Sequence, residues 1–410
     1  MPKIESIMHV HFKLILINLE ILILLFMKRI LYFIAIALIF SCSNESLDES
    51  LINNNPFNIT GKIIAPNGID PISEGKISVV SNNAIVQEIF SDTSGNFSFF
   101  LDYGNYDLVI SKGLFKTESS ILLSDNPDSF NYDLGDVSFD QFPNIGVVTG
   151  YYDNIESILY DIGLVNPIDG TPLFDIIDGV NFNRNSDEIS NHNHGNERII
   201  QNTSKNTGLE PNVDFNFSDL LNNVSLLNEY DILFLNCGLN TDADTEDSAS
   251  LYNFVNNGGI LYATDWTYPI LEKFSTLSGN EFLTFQQPYK SGQSLSTEAT
   301  ILSSELNDWL SINFDLTIDN TVIIDEFLNS WQVVADYNIS SVIAWLDGYV
   351  EYNDENGELV GDNKELAFTF LLGDGGVFYS SFHTENDEDG FTCVDRVMEY
   401  MVFELSTLTQ

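Results

Sequence analysis

Positive charge is scarce in this chain: 15 Lys and Arg stand against 61 Asp and Glu, a formal net charge of −46 at pH 7. Such a surface is repelled by phosphodiester backbones and by anionic headgroups, which argues against nucleic acid as a partner. Cysteine is scarcer still, with Cys42, Cys237 and Cys393 the only three in 410 residues. No Cys-x-x-Cys occurs, so neither a zinc ribbon nor a thioredoxin-type motif is available. The Walker A pattern and the Rossmann glycine fingerprint are missing too, which leaves nucleotide binding without support. The EF-hand pattern is also absent; the acidic runs Asp242–Asp247 and Glu385–Asp389 read as solvated loops, with Ca²⁺ binding there left open. What the chain does have is apolar substance, 44% hydrophobic and 12% aromatic residues, enough for a globular body of two domains.

Residues 8–41 are mostly apolar, and a run of that length is able to span a bilayer. It also reads as a signal peptide from an internal start at Met27: Lys28-Arg29 supply the positive region, Ile30–Phe40 the apolar core, and Ser41-Cys42 follow. This second reading resembles a bacterial lipoprotein signal, with Ile39, Phe40 and Ser41 ahead of an acylated Cys42, although Leu is usual where Ile39 stands. The resemblance makes 1–41 a removed signal region, with 1–26 an over-extended gene start. It implies a membrane partner through a lipid anchor, at the bacterial outer membrane or cell surface. Residues 42–55 form a polar, breaker-rich linker, whose acidic residues resemble the export tether of Bacteroidota surface lipoproteins.

From 56 to 139 short alternating runs recur: Phe57–Ile64, Lys76–Ser81, Ala84–Ser91, Asn96–Leu101, Tyr106–Ser111 and Ser119–Ser124. Turn residues such as Pro66-Asn67-Gly68 and Ser94-Gly95-Asn96 separate them, which predicts a β-sandwich. The order of features resembles the carboxypeptidase regulatory-like (transthyretin-like) domain: the opening Gly61–Ile64 strand, the Ser91–Phe97 turn, and Gly104–Ile110 matching its Gly-x-Tyr-x-Leu-x-Val strand. That resemblance implies a non-catalytic spacer or binding module.

From 142 to 410 the pattern changes to strands alternating with helices, which predicts βαβ units and a parallel sheet. Asn144–Gly150, Leu173–Gly179, Asp231–Leu235, Glu365–Gly373 and Gly375–Glu385 read as strands. Tyr151–Leu164, Phe217–Tyr230 (with Ser218 as N-cap) and Asp395–Leu405 read as helices, and residues 181–212 as a long loop. The middle, about 278–363, is less regular; Ser330–Tyr337 and Ser341–Val350 read as strands, with a hairpin adding antiparallel edges as one arrangement of them. Leu251–Trp266 carries the most information: an amphipathic helix, a Gly258-Gly259 turn, a short apolar strand, then Thr264 and Asp265 at the position where α/β enzymes place a nucleophile.

These segments resemble class I glutamine amidotransferase-like domains. Tyr230–Gly238 matches the family's Tyr-Asp-x-Leu-x-Leu strand, Phe254–Trp266 its nucleophile-elbow segment, and Gly375–Glu385 its strand ending in His and Glu. The expected fold is therefore multidomain, a transthyretin-like β-sandwich followed by a flavodoxin-like α/β parallel-sheet domain. His383 and Glu385 match two triad positions, but Thr264 or Asp265 stands where the family has Cys. The chain looks closest to the trehalose-utilisation-like and β-galactosidase middle-domain branches, which likewise lack that Cys.

The expected ligand-binding residues are Asp265, Trp266, His383 and Glu385, with Asp265, His383 and Glu385 also the candidates for any catalysis. Cys237, at a strand's carboxyl end, is a buried thiol, a half-cystine with Cys393, or a nucleophile with His383 as base. His192, His194 and Glu197 form a weak metal-ligand cluster in an Asn-rich loop. No cofactor beyond Ca²⁺ is suggested. Without a nucleophile the expected role is ligand binding, of glycan or peptide, by a surface-anchored lipoprotein. The alternatives are a hydrolase using Asp265 and His383 or a bound metal, and a structural component of the cell envelope.

Overall fold

The structure is a computed structural model, and it describes residues 56–124, 129–180, 209–239, 245–384 and 391–409. The signal region, the linker with Cys42, the His192, His194 and Glu197 cluster, and Glu385 lie outside the described residues. Residues 55–410 form one compact unit.

The N-terminal region is β-rich. Its strands are β1 (Phe57–Ile64), β2 (Lys76–Ser81), β3 (Ala84–Phe90), β4 (Asn96–Leu101), β5 (Gly104–Lys112), β6 (Phe115–Leu123) and β7 (Asn131–Ser138). They form a sheet β4-β1-β7 and a sheet β3-β2-β5-β6. Alternation along β4 buries Phe97, Phe99 and Leu101 and exposes the residues between them, as a half-buried pleated strand requires. These side chains share a core with Ile77, Val79, Leu108 and Ile110 of the other sheet. β7, which sequence periodicity does not announce, pairs parallel to β1 and has little buried surface of its own.

The C-terminal part begins with β8 (Ile145–Val148), α1 (Ile155–Asp161), β9 (Asp175–Ile177), α2 (Phe217–Leu221), α3 (Val224–Leu227) and β10 (Ile232–Leu235). It continues through α4 (Thr245–Asn256), β11 (Ile260–Thr264), α5 (Tyr268–Ser278), β12 (Leu283–Phe285), β13 (Leu295–Ile301), α6 (Ser304–Phe314) and β14 (Thr321–Phe327). It ends with β15 (Val334–Tyr337), β16 (Val342–Asn353), β17 (Leu359–Leu372), β18 (Gly375–Ser380) and α7 (Cys393–Glu404).

The expected parallel sheet is in fact mixed. Its order is β14-β13-β16-β17-β18-β11-β10-β8-β9. The run from β18 to β9 is parallel, and β14, β13, β16 and β17 add antiparallel strands. The irregular middle therefore adds antiparallel strands to the sheet. The hairpin there is β16–β17, not the pair of strands on either side of residue 340: β15 leaves the main sheet to pair with β12. The predicted helix over Phe217–Tyr230 is two short helices, because Asn222-Asn223 end the first and restart the second. Asn216 rather than Ser218 caps α2, in a capping box with Asp219, and Asn223 caps α3.

Strand alternation gives the parallel strands two buried faces. Ile232, Phe234, Ile260, Tyr262 and Phe378 point into the core that α1 and α7 cover. Leu233, Leu235, Leu261, Ala263, Val377 and Tyr379 point into a second core with α2, α4 and α5. This is why the strands read as unbroken apolar runs. The first core also continues into the β-rich region: the Phe115 ring meets the Phe403 ring edge-on at 4.9 Å. Lys112 pairs with Glu404 at 2.6 Å, and Trp309 Nε1 donates to the Pro71 carbonyl at 2.8 Å. Arg396 Nη1 donates to Asp70 at 2.7 Å and to Glu399 at 2.5 Å, with its guanidinium 4.1 Å from the Phe314 ring and 4.2 Å from the Phe391 ring.

Candidate functional site at the carboxyl edge of the parallel strands

The chain runs from β8 outward to β9, then returns to the other side of β8 to add β10 and β11. Strand order therefore reverses between β8 and β10, and in open α/β sheets the loops leaving two such strands are where ligands bind. Here the two loops also touch. Tyr152 N–H donates to the Cys237 carbonyl at 3.2 Å. A Cβ on Gly150 would sit 2.1 Å from that carbonyl oxygen, so only glycine fits.

Asp153, a residue that sequence reasoning passed over, ties the strand ends together. Its carboxylate accepts from Cys237 N–H at 2.6 Å, from Thr384 N–H at 2.9 Å and from the Thr264 hydroxyl. One side chain after β8 thus holds the ends of β10, β11 and β18. No local rule marked it: Asp153 stands five residues beyond the end of β8, within the Tyr151–Leu164 stretch that reads as helix. Behind it, Asn236 Nδ2 donates to Glu156 at 2.9 Å. Burial first, and then the Asp153 charge, push the Glu156 carboxyl up to about 7 against the Asn236 hydrogen bond.

Asp265 follows β11 directly and opens a 3₁₀ turn, Asp265–Thr267, that leads into α5. Its φ is +34°, a left-handed conformation that costs a non-glycine residue about 1–3 kcal/mol. The surroundings hold it there. Asp265 Oδ1 accepts from Gln332 N–H at 2.6 Å, and its carbonyl accepts from the Tyr379 hydroxyl at 3.0 Å. Gln332 comes from the irregular middle, where no periodicity points to it.

Asp265 Oδ2 lies 3.3 Å from His383 Nε2 and 3.6 Å from Cys237 Sγ. The three ligand atoms of Cys237, Asp265 and His383 are within 4.8 Å of one another, and all three residues are buried. The fold thus brings together the elbow carboxylate, the histidine after β18 and the thiol after β10. Trp266 is half-buried beside them; its ring stands edge-on to Tyr152 at 5.6 Å, and Lys290 Nζ lies 3.5 Å from its centre. Tyr152 also stands edge-on to His383 at 6.2 Å.

This geometry bears on what the thiol can do. Burial first, then the charges of Asp265 and Asp153, push Cys237 well above the ordinary thiol range. The group is therefore a neutral thiol at physiological pH, the opposite of what a nucleophile needs. Nor is there a disulfide: Cys237 and Cys393 are both free. Cys393 opens α7 with its Sγ toward the Leu316 carbonyl, whereas Cys237 Sγ faces Asp265. The two do not share a strand end, because the chain runs on past β18 before α7 begins.

No protein-family model matches the chain, and no curated protein does. Solved structures similar to it include a putative ThuA-like protein from Bacteroides uniformis, at 12% identity and a TM-score of 0.33, covering 63% of this chain and 89% of that one. A cytoplasmic protein from Salmonella typhimurium has 9% identity and a TM-score of 0.31, covering 73% of this chain and 94% of that one. A DUF3823 family protein from Parabacteroides merdae has 13% identity and a TM-score of 0.17; the match covers 22% of this chain and 46% of that one. Likenesses this partial assign no activity to the chain.

Proposed function

We propose that this protein is a bacterial surface lipoprotein, anchored through Cys42, in which a transthyretin-like β-sandwich carries an amidotransferase-like α/β domain that binds a ligand without turning over glutamine. The observation that carries the reading is the identity and engagement of the elbow residue. Glutamine hydrolysis in amidotransferase-like domains runs through a thioester, which a carboxylate cannot form. Asp265 is moreover already committed to Gln332 N–H, His383 and the Cys237 thiol. The groups at this edge that keep some exposure, Trp266 and His383, suit a glycan or peptide ligand.

The test is ammonia release from glutamine by the purified full chain. No release above the uncatalysed rate is expected. Turnover that Cys237→Ala abolishes would overturn the reading and make Cys237 the nucleophile. The contact between Asp265 and His383 favours one second reading, a hydrolase in which His383 acts as base with Asp265 as its orienting partner. Turnover that survives Cys237→Ala and is lost in His383→Ala would select it.

A further inference from the structure

We propose that Cys237, Asp265 and His383 form a binding site for a borderline-soft divalent cation of the zinc type, with one coordination position left open. The donor set is one sulfur, one carboxylate oxygen and one imidazole nitrogen, brought from the ends of three different parallel strands. Thiolate and imidazole donors select zinc-like ions over Ca²⁺ and Mg²⁺, which take oxygen ligands.

The two spacings to Asp265 fit such an ion. Bonds of about 2.0 Å to oxygen and nitrogen and about 2.3 Å to sulfur, at tetrahedral angles, set O and N about 3.3 Å apart and O and S about 3.5 Å apart. Here Asp265 Oδ2 lies 3.3 Å from His383 Nε2 and 3.6 Å from Cys237 Sγ. The surroundings support the ligands as second partners do in metal sites. Gln332 N–H holds the other oxygen of Asp265, and Trp266 N–H reaches the Cys237 sulfur. Asp153 fixes the Cys237 backbone and adds a second carboxylate beside the cluster. Binding exchanges the thiol proton for the cation: the S–H bond breaks, the proton leaves to solvent, and the metal–thiolate bond forms. Three protein ligands on a tetrahedral ion leave a fourth position for water or a ligand oxygen. The site stands whether or not the protein turns anything over, and its test reads coordination rather than activity.

The experiment is a Co²⁺ titration of the chelator-treated full chain, in a Cys42→Ser, Cys393→Ser background that leaves Cys237 the one thiol. Expected are a near-ultraviolet thiolate-to-cobalt band and tetrahedral visible bands that saturate at one equivalent, are displaced by Zn²⁺ and are untouched by Ca²⁺. Cys237→Ser should abolish the near-ultraviolet band, and His383→Ala should weaken binding at least about 10-fold. Because either variant may fail to fold, thermal unfolding of the unsubstituted protein is followed as well; Zn²⁺ should raise its Tm and a chelator should reverse the rise. Absence of the thiolate band in folded single-thiol protein would overturn the proposal. So would a band that persists in the wild-type background after Cys237→Ser.

Discussion

At Asp70, Arg396 and Glu399 both buried carboxylates meet one guanidinium, whereas at Asp153 and Asp265 the buried carboxylates meet backbone N–H groups, hydroxyls, a thiol and an imidazole. The first cluster joins the loop after β1 to helix α7, and so fastens the β-rich region to the α/β part. A guanidinium between two carboxylates, stacked on Phe314 and Phe391, has little left to offer a ligand. The second cluster is held by groups that do not neutralise it, and it keeps a histidine and a thiol within reach of one oxygen. Burial of charge is common to both; what differs is whether the compensating groups are spent on the fold. The first cluster is a clamp, and the second has the make-up of a site.

Removing the cation from the clamp should have the largest effect. Arg396→Ala leaves Asp70 buried without its cation, with the Asn67 amide its remaining side-chain donor, and should cost about 3–5 kcal/mol, measured by urea unfolding. A loss below about 1 kcal/mol would mean that the apolar contact around Phe115 and Phe403 fastens the two regions by itself.

The pH dependence of stability should separate the clusters. Glu399 is pushed up to about 8 by burial first and then by Asp70, against the pull of Arg396, while Glu156 beside the site is pushed up to about 7. Both are raised above the unfolded value of 4.5. Their contribution is therefore fully present below that value. It is lost as pH rises and the unfolded chain ionises while the folded carboxyls resist. Unfolding free energy should thus fall from about pH 5 to about pH 8. Glu399→Gln should lessen the fall over the whole range up to about pH 8 and remove it above about pH 7, whereas Glu156→Gln should lessen it only below about pH 7. Identical slopes in all three proteins would remove the assignment.

The smallest effect expected is at the site's own scaffold. Thr264→Val keeps the shape but removes the hydroxyl that Asp153 accepts from, and should cost about 1–2 kcal/mol in the same unfolding assay. A larger loss would show that Asp153 acts as a clamp in its own right and would erase the contrast with Arg396.

Much of this molecule was legible as local pattern. Period-two alternation picked out β4, and the unbroken apolar run of β10 marked it as a strand buried on both faces. The Gly-Gly turn followed by an apolar strand narrowed the elbow to Thr264 or Asp265. Where a local signal was weak the reading failed: β7 buries little, and Asn222-Asn223 interrupts a helix that its apolar spacing continues.

The sequence by itself determined where β1 to β6, β8, β10, β11, β18 and α7 fall, and that Thr264 or Asp265 rather than a thiol stands at the end of β11. These follow from periodicity, capping and turn chemistry, all of which act over a few residues. Only the tertiary structure decided that Asp153 would gather strand ends 84 and 231 residues away, that Arg396 would meet Asp70 across 326 residues, and that Cys237 would face Asp265 rather than Cys393. The same holds for the antiparallel half of the sheet. Strand order and register depend on which edges remain unpaired once the central parallel strands have formed, and no window along the chain contains that information.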